Sequence, residues 1–262
     1  MKIKYIGTAA CDYSPLLNTK FKDCLDKDAR RSSCALIDGH ILIDCGDHTI
    51  ESLRIQNIPL NSIDTLLLTH LHHDHYQPEN IRCLAAACES TLKIYTHNDA
   101  KIKLDCDLDG ANVEKVPLKC GEEINISEDT SITAFPANHT EFPVHYLIES
   151  LDKKIYYALD GAWITYDAFH GLKNKAVDLL VLDGTVGDYE GDLRVSEHNS
   201  IPMIRLMLKS FPKFNICAEH AEIYISHIAP SLHKSHDETV ELLKKDNIKV
   251  AFDGLEVTLP DR

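Results

Sequence analysis

The sequence predicts a mixed α and β fold of the α+β class. Short runs of alternating or continuous apolar residues, typical of strands, recur along the chain, and a few amphipathic segments typical of helices separate them. Residues that can bind metal ions follow several of these runs directly. The 262-residue chain shows no repeat of about 20–50 residues. We expect residues 1–262 to form a single domain, although the length alone would also permit two.

The predicted strands are short apolar or alternating runs bounded by turn residues. In chain order they cover residues 1–7, 34–38, 41–44, 64–68, 92–96, 132–135, 144–149, 155–159, 179–183, 214–218 and 224–227. We expect the second and third of these to form a hairpin that turns at Gly39-His40. The segment 250–259 is expected to form a closing hairpin about Gly254.

Four segments are expected to be helices: from Asp47 to about Gln56, from Pro78 to about Cys88, from Ser196 to residue 209, and from Ser235 to Lys245. The carboxylate of Asp47 can accept the free amides of a first helical turn. Proline is favoured in that turn, as at Pro78. The third segment carries Met203, Leu206 and Met207 on one face.

The most informative stretch of the chain is His70-Leu71-His72-His73-Asp74-His75, which directly follows the apolar run 64–68. A strand that ends in such a turn holds its ligands on a rigid element, as a catalytic metal site requires. Imidazole suits zinc and similar first-row ions, and carboxylate suits harder ions such as manganese. Four ligands this close in sequence would crowd one tetrahedral ion. The spacing therefore favours two ions, with the first two histidines at one and the Asp-His pair at the other.

Composition excludes several classes of protein. The formal net charge of −14 argues against a polyanionic partner, because nucleic-acid affinity depends largely on phosphate neutralisation by Lys and Arg. The nine cysteines are odd in number and form no Cys-x-x-Cys pair, which favours reduced thiols in a cytoplasmic protein. No apolar run approaches the roughly 20 residues that cross a bilayer, and the N-terminal segment lacks the apolar region of a signal peptide. Neither nucleic acid nor a membrane is therefore an expected partner.

The motif resembles the signature of the metallo-β-lactamase superfamily, and the rest of the chain is similar to that superfamily in the same order. His139, Asp160 and His227 each stand at or just after the end of a strand-like run. The resemblance implies an αββα sandwich of two mixed β-sheets flanked by helices, with a binuclear metal site. It implies that the first ion is held by His70, His72, His139 and Asp160, and the second by Asp74, His75, His227 and Asp160.

Finer features resemble the PhnP type of this superfamily, the phosphoribosyl cyclic phosphate phosphodiesterases. They are Gly7-Thr8-Ala9-Ala10, Arg30-Arg31-Ser32-Ser33, Asn138-His139, Asp183 with His198, Ser226-His227-Ile228 and Phe252-Asp253-Gly254-Leu255-Glu256. The likeness implies hydrolysis of a small cyclic phosphate or nucleotide-like diester by a hydroxide held between two zinc or manganese ions. His198 and Asp74 are expected to act in catalysis, with His198 protonating the leaving oxygen. The expected partner is a small anionic phosphodiester.

One departure concerns a structural zinc that PhnP-type enzymes carry. The loop over residues 14–28 keeps Cys24 but has Thr19 and Phe21 about where the other thiols should be. Pro230 stands where a further histidine ligand is expected. We therefore expect no structural zinc, with this loop held by packing instead.

Other functions stay open. A tRNA 3′-processing endonuclease shares the metal shell but conflicts with the negative charge. A lactonase or other carbonyl hydrolase agrees less well with His198, and the complete ligand set disfavours a non-catalytic metal-binding scaffold. Trp163, which closely follows Asp160, could form a wall of the pocket, but core packing is the favoured expectation. Arg30 and Arg31 could hold a phosphate through their guanidinium groups or form an ordinary solvated pair. The sequence leaves a homodimer open, and it assigns no role to His220, His233 and His236.

Overall fold

The computed structural model describes residues 1–18 and 21–260, so Thr19 lies outside the described residues. The chain divides into two compact units. The first comprises Met1–Leu118 with Phe252–Thr258, and the second comprises Lys119–Ala251 with the residues from Leu259 onward. Within the described residues each unit holds one seven-stranded mixed sheet and its own helices. That the whole chain forms one domain stays a prediction.

The first unit has a sheet that is antiparallel at one side and parallel at the other. Its strands are β1 (Lys2–Gly7), β2 (Cys34–Ile37), β3 (Ile41–Ile43), β4 (Thr65–Leu67), β5 (Leu92–His97), β6 (Val113–Leu118) and β14 (Glu256–Thr258). They lie in the order β14-β1-β2-β3-β4-β5-β6, and β3 to β6 run parallel. Its helices are α1 (Thr49–Ile55), α2 (Pro78–Ala87) and α3 (Lys101–Asp107).

Strand β4 occupies an inner place in this sheet, as its sequence requires. All three of its residues are buried, which is typical of a parallel strand covered on both faces. Leu66 belongs to an apolar core to which neighbouring strands and helices contribute Leu42, Leu53, Leu84 and Ile94. Burial of one such side chain contributes about 1.5–3 kcal/mol, so the end of β4 is a rigid place from which to hold side chains.

The second unit has a sheet in which parallel strands follow antiparallel ones. Its strands are β7 (Glu123–Asn125), β8 (Thr130–Pro136), β9 (Val144–Ser150), β10 (Lys153–Ala158), β11 (Val177–Asp183), β12 (Cys217–Ser226) and β13 (Lys249–Val250). They lie in the order β13-β12-β11-β10-β9-β8-β7, and β10 to β13 run parallel. Its helices are α4 (Tyr166–Leu172), α5 (Ile201–Ser210) and α6 (His236–Leu243).

The register of the parallel strands places their carboxyl ends side by side. Ala158 of β10 pairs with Leu182 of β11, and Leu182 pairs with Ile225 of β12. Residues that directly follow these positions therefore lie along one edge of the sheet. The two mixed sheets with their helices confirm the predicted fold class.

Several predicted elements are wrong in detail. The helix expected from Ser196 starts later, because residues 193–196 form a short 3-10 helix and the hydroxyl of Ser200 caps α5. Asp47 does not cap α1, since its carboxylate accepts a hydrogen bond from the Tyr13 hydroxyl at 3.1 Å. The hairpin expected over 250–259 does not form, because β13 and β14 belong to different sheets. No helix within residues 1–18 and 21–260 is long and apolar enough to cross a membrane.

Candidate metal centre

A ligand-rich turn directly follows β4 in the first unit. The residues of this turn that the sequence predicts as ligands are buried or half-buried: His70, His72, Asp74 and His75. His73 differs, because 64% of its side chain is exposed and its Nδ1 lies 2.8 Å from a carboxylate oxygen of Asp47. The side chain of His73 therefore contacts Asp47 and is exposed, whereas the expected ligands on either side of it in the sequence are buried or half-buried.

Asp44 fixes the orientation of this turn. It follows β3 with a left-handed backbone (φ +65°), and its side chain is fully buried. One carboxylate oxygen accepts the Thr69 amide at 2.8 Å, and the other lies 2.7 Å from Nδ1 of His75. Burial raises the pKa of Asp44, although its contacts with His75 and Thr69 oppose that effect. These hydrogen bonds hold the His75 ring with its Nε2 directed away from Asp44.

The other ring nitrogens of this cluster face further expected ligands. Nδ1 of His70 lies 3.0 Å from the Thr69 hydroxyl, and Nε2 of the same ring lies 3.0 Å from Nδ1 of His72. Nε2 of His75 lies 3.4 Å from a carboxylate oxygen of Asp74. In both His70 and His75, Nδ1 contacts a supporting residue and Nε2 faces another expected ligand. Metal-binding histidines show this division of roles.

Close packing supports the ligand turn from the loop after β3. A Cβ atom on Gly46 would overlap the backbone carbonyl of Asp74. The Cys45 amide donates to the His75 carbonyl at 2.8 Å, and the Asn80 side chain donates to the Gly46 carbonyl at 2.7 Å. Position 46 therefore requires glycine because the two backbones approach closely.

The second unit gathers three buried polar residues at the carboxyl edge of its parallel strands. Asp160 comes after β10, Asp183 ends β11, and His227 comes after β12. Asp160 and His227 have left-handed backbones, with φ of +53° and +58°. This conformation is uncommon outside glycine, and at both positions it belongs to the residue that follows a strand and carries a functional side chain.

The histidines of the second unit repeat the pattern of the first. Nδ1 of His227 lies 2.6 Å from the Thr185 hydroxyl, and its Nε2 lies 3.1 Å from Oδ2 of Asp160. Nδ1 of His139 contacts the Glu197 carbonyl at 3.2 Å, and its Nε2 lies 3.7 Å from Oδ1 of Asp160. The structure therefore brings His139, Asp160 and His227 together, with Asp160 facing both rings.

Asp183 has a larger part in this cluster than the sequence pattern indicates. Its carboxylate accepts three backbone amides, those of Asp160, Thr185 and Asn199, at 3.0, 2.9 and 3.3 Å. Burial would raise the pKa of this carboxyl, but His198 and then His227 outweigh burial and lower it. The signal that could have found this role is its position: Asp183 ends the strand that lies between β10 and β12.

His198 lies beside Asp183 in the turn before α5. Its Nδ1 is 2.8 Å from Oδ2 of Asp183 and 3.5 Å from Oδ1 of Asp160. Burial would lower the pKa of His198, but the carboxylates of Asp183 and Asp160 outweigh burial and raise it to about 9. The ring stacks on that of His227, with the planes 17° apart and the centroids 5.5 Å apart. His198 therefore lies next to the expected ligands of its unit, where the two carboxylates favour its protonated form.

The donor atoms of both clusters fit divalent metal ions. In the second unit, Asp160, Asp183, His198 and His227 offer ligand atoms that all lie within 4.8 Å of one another. In the first unit, the expected ligands approach one another through ring nitrogens and a carboxylate oxygen at 3.0 and 3.4 Å. Imidazole nitrogen and carboxylate oxygen are donors that zinc accepts, and carboxylate also suits manganese.

The two arginines of the Arg30-Arg31 pair have structural roles. Both are buried, so neither is the solvated residue that a surface pair would contain. Arg30 donates to the Thr8 hydroxyl at 2.8 Å, and the Arg31 amide donates to a carboxylate oxygen of Asp253 at 2.8 Å. The Arg31 guanidinium donates to the backbone carbonyls of Phe21, Lys22 and Cys24. These contacts hold residues 21–24, which are part of the loop that was expected to be held by packing.

The remaining histidines whose roles stayed open have different surroundings. His220 is exposed on β12. Nε2 of His233 lies 2.6 Å from the carbonyl of Gly184, the residue that directly follows Asp183 in the chain. His236 is buried in the first turn of α6.

Comparison with protein families gives one match that covers most of the chain. The family described as Beta-lactamase superfamily domain matches residues 40–252. This span includes His198 and all seven residues that the sequence predicts as metal ligands.

The solved structures that are similar to nearly the whole chain include the following three. A diphosphatase from the PhnP family has a TM-score of 0.74 and 20% identity, over 98% of this chain and 97% of its own. The metallo-β-lactamase fold protein YhfI from Bacillus subtilis has a TM-score of 0.73 and 18% identity, over 98% of both chains. The short form of human tRNase Z has a TM-score of 0.70 and 18% identity, over 100% of both. At identities this low, the structural similarity shows a common fold and nothing more.

Two curated relatives are named ribonuclease Z. The protein from Methanococcus maripaludis is 24% identical over 173 residues, which is 58% of this chain. The protein from Clostridium beijerinckii is 51% identical over 35 residues, which is 13% of this chain. The matched regions span 50% and 11% of these relatives' own lengths.

Proposed function

The chain belongs to the β-lactamase superfamily, whose members are metal-dependent hydrolases. On this premise we propose that it is a phosphodiesterase that acts on a small cyclic phosphate or on a nucleotide-like diester. The observation that carries the proposal is the pairing of His198 with Asp183 beside Asp160. This pair supplies a proton donor next to expected metal ligands, which is what a diester with a poor leaving group needs.

The proposal assigns two divalent metal ions, zinc or manganese, to seven side chains. The first ion would be held by His70, His72, His139 and Asp160, and the second by Asp74, His75, His227 and Asp160. The spacing of the motif and the superfamily support this assignment, and within each unit the orientation of the histidine rings supports it. Ions bound there would polarise phosphoryl oxygens and lower the pKa of water, which removes the need for a protein base.

The charges of the site suit one anionic substrate. Two divalent ions carry four positive charges, and the carboxylates of Asp74 and Asp160 offset two of them. Asp183 would not reduce this excess further if His198, 2.8 Å away, carries a proton that balances its negative charge. The remaining positive charge matches the single negative charge of a phosphodiester together with a hydroxide nucleophile.

His198 would protonate the leaving oxygen. Asp183 accepts a hydrogen bond from Nδ1, which fixes the ring and stabilises its protonated form. Proton transfer to an alkoxide contributes most when the leaving oxygen is strongly basic, as in ribose and alkyl diesters. Asp183 is therefore the positioning residue and His198 the catalytic residue. Asp74 would contribute by holding the second ion.

A tRNA 3′-processing endonuclease is the second candidate, because both curated relatives are named ribonuclease Z. The net charge of −14 opposes it, since a long polyanion binds through Lys and Arg at its phosphates. Only half or less of those relatives' lengths is matched. The small-diester proposal therefore agrees better with this chain.

Activity screening distinguishes the candidates. The purified protein, loaded with zinc or manganese, should be tested on small cyclic phosphates, a nucleotide p-nitrophenyl ester, a tRNA precursor and lactones. We expect turnover of the small diesters and little or none of the others. Faster cleavage of the tRNA precursor or of a lactone would contradict the proposal.

A further inference from the structure

Trp163 is exposed close to the candidate site, contrary to the expectation that it packs in the core. It is the only tryptophan of the chain, and 44% of it is exposed. It stands three residues after Asp160 and has a left-handed backbone with φ of +59°. A bulky aromatic residue rarely adopts this conformation unless its surroundings impose it, and such outliers concentrate at functional sites.

Asn199 imposes the position of Trp163. The buried Asn199 side chain accepts the Trp163 amide at 2.7 Å and donates to the Gly161 carbonyl at 3.0 Å. Its own amide donates to Asp183 at 3.3 Å. Asn199 also directly follows His198 in the chain. The backbone of Trp163 is therefore tied to the same two residues that carry the proposed chemistry.

Exposed aromatic side chains are concentrated in this part of the second unit. Among the described residues, the exposed aromatics are Phe142, Trp163, Tyr166, Tyr189 and Phe214. All except Phe214 belong to the segments that follow β8, β10 and β11. Hydrogen bonds join these segments, since Ala162 donates to the Asn138 carbonyl at 3.2 Å and the Asn138 side chain donates to the Ser196 carbonyl at 3.4 Å.

We propose that Trp163 stacks on the base of a nucleotide-like substrate while the diester occupies the metal site. The proposal rests on the proposed phosphodiesterase function and selects the nucleotide-like diester over the compact cyclic sugar phosphate. An indole face is a sequence-tolerant platform for any base. The negative net charge opposes a long polynucleotide, so the proposed substrate carries one or two bases and few phosphates.

Because Trp163 is the only tryptophan, its fluorescence reports on the proposed contact directly. The metal-loaded protein should be titrated with adenosine 5′-monophosphate and, as a matched ligand without a base, ribose 5-phosphate. Calorimetry with both ligands would give affinities that do not depend on the indole. We expect the adenine nucleotide to quench the tryptophan and to bind more tightly than ribose 5-phosphate.

Variants separate stacking from a structural role. Trp163→Ala should weaken binding of the adenine nucleotide by about 5- to 150-fold, because base–aromatic stacking is worth about 1–3 kcal/mol per base. Its affinity for ribose 5-phosphate should not change. Trp163→Tyr keeps an aromatic face and should restore most of the affinity. Phe214→Ala, which removes the exposed aromatic outside these segments, should bind both ligands as the unchanged protein does.

The outcomes distinguish this inference from the proposed function. Any one of three results would overturn the stacking role. The first two are unchanged fluorescence on nucleotide binding and equal affinity for the two ligands. The third is equal affinity for the nucleotide in the natural protein, Trp163→Tyr and Trp163→Ala. Failure of the proposed function would show itself elsewhere, as absent hydrolysis of both methyl p-nitrophenyl phosphate and thymidine 5′-(p-nitrophenyl phosphate). If hydrolysis occurs, Trp163→Ala should raise KM for the thymidine ester and leave the methyl ester unaffected.

Discussion

His198 and Asp183 are the residues on which the proposed chemistry depends most. The His198 ring is held on three sides, by Asp183 at 2.8 Å and by the rings of His139 and His227 at centroid distances of 4.9 and 5.5 Å. A ring fixed in this way can transfer a proton with little reorganisation. His198 is not one of the seven expected metal ligands, so its removal should leave those ligands in place.

His198→Ala should therefore slow hydrolysis according to the leaving group. We expect a rate loss of about 10²–10⁴-fold on an alkyl or ribose diester and a much smaller loss on a p-nitrophenyl ester, which leaves without a proton. The measurement is the ratio of these two losses, with metal content checked by elemental analysis. His220→Ala, an exposed histidine of the same unit, is the control. Equal losses at full metal content would leave His198 as a binding residue only.

Asp160 is the residue expected to serve both metal ions. Its two carboxylate oxygens face different histidines, with Oδ1 3.7 Å from His139 and Oδ2 3.1 Å from His227. Asp160→Ala should lower metal content and activity more than His139→Ala or His227→Ala, because it removes one ligand from each ion and leaves two cations less well shielded.

Elemental analysis of the purified variants, together with their rates, checks this order. Asp129→Ala, which removes an exposed carboxylate, should retain metal and activity. An Asp160→Ala protein with two ions and most of its activity would show that Asp160 does not bridge them.

At the scale of elements, Arg31 contributes to holding the loop over residues 21–24. Arg31 is fully buried, and its guanidinium donates to the carbonyls of Phe21 and Lys22 at 2.9 Å and to that of Cys24 at 3.3 Å. It also lies 3.2 Å from Glu51 of α1. A planar fork of donors can hold several carbonyls at once, which a lysine ammonium cannot do in the same geometry.

Arg31→Met should lower the free energy of unfolding by about 2–4 kcal/mol, because several carbonyls lose a charged donor within the fold. Urea denaturation measures this change, and Arg31→Lys should recover only part of it. Arg54→Met, at an exposed position of α1, should change stability little. If Arg31→Met were as stable as the natural chain, the loop would be held by other contacts.

The elements also show what the sequence could predict. The ligand turn was predictable because β4 is a continuous apolar run, and its end is marked by four donor residues within six positions. The start of α5 was not, because Ser196 and Ser200 are both acceptable caps, and only the 3-10 helix at 193–196 decides between them.

Two further errors arise from tertiary structure. Val250 and Glu256 are a few residues apart, which favours a hairpin locally, but each pairs with a strand distant in sequence. Trp163 was expected in the core because large aromatic residues usually bury most of their surface. The hydrogen bond from its amide to Asn199, which sets its exposed position, joins residues 36 positions apart and leaves no local signal.

At the scale of the whole molecule, the proposed function requires that hydrolysis depends on two divalent ions bound to the chain. Two ions that bind only the folded chain would also stabilise it by mass action. The chain should therefore be more resistant to thermal unfolding with zinc or manganese than after chelation, and the increase should saturate with the ions bound.

Titration of metal into the chelated protein tests this claim most directly. The rate on a small phosphodiester and the bound metal should be measured together as zinc or manganese is added. We expect no activity in the chelated protein, and activity that rises with bound metal until two ions are present per chain. Full activity in the chelated protein, or a maximum rate reached before two ions are bound per chain, would contradict the requirement for two ions.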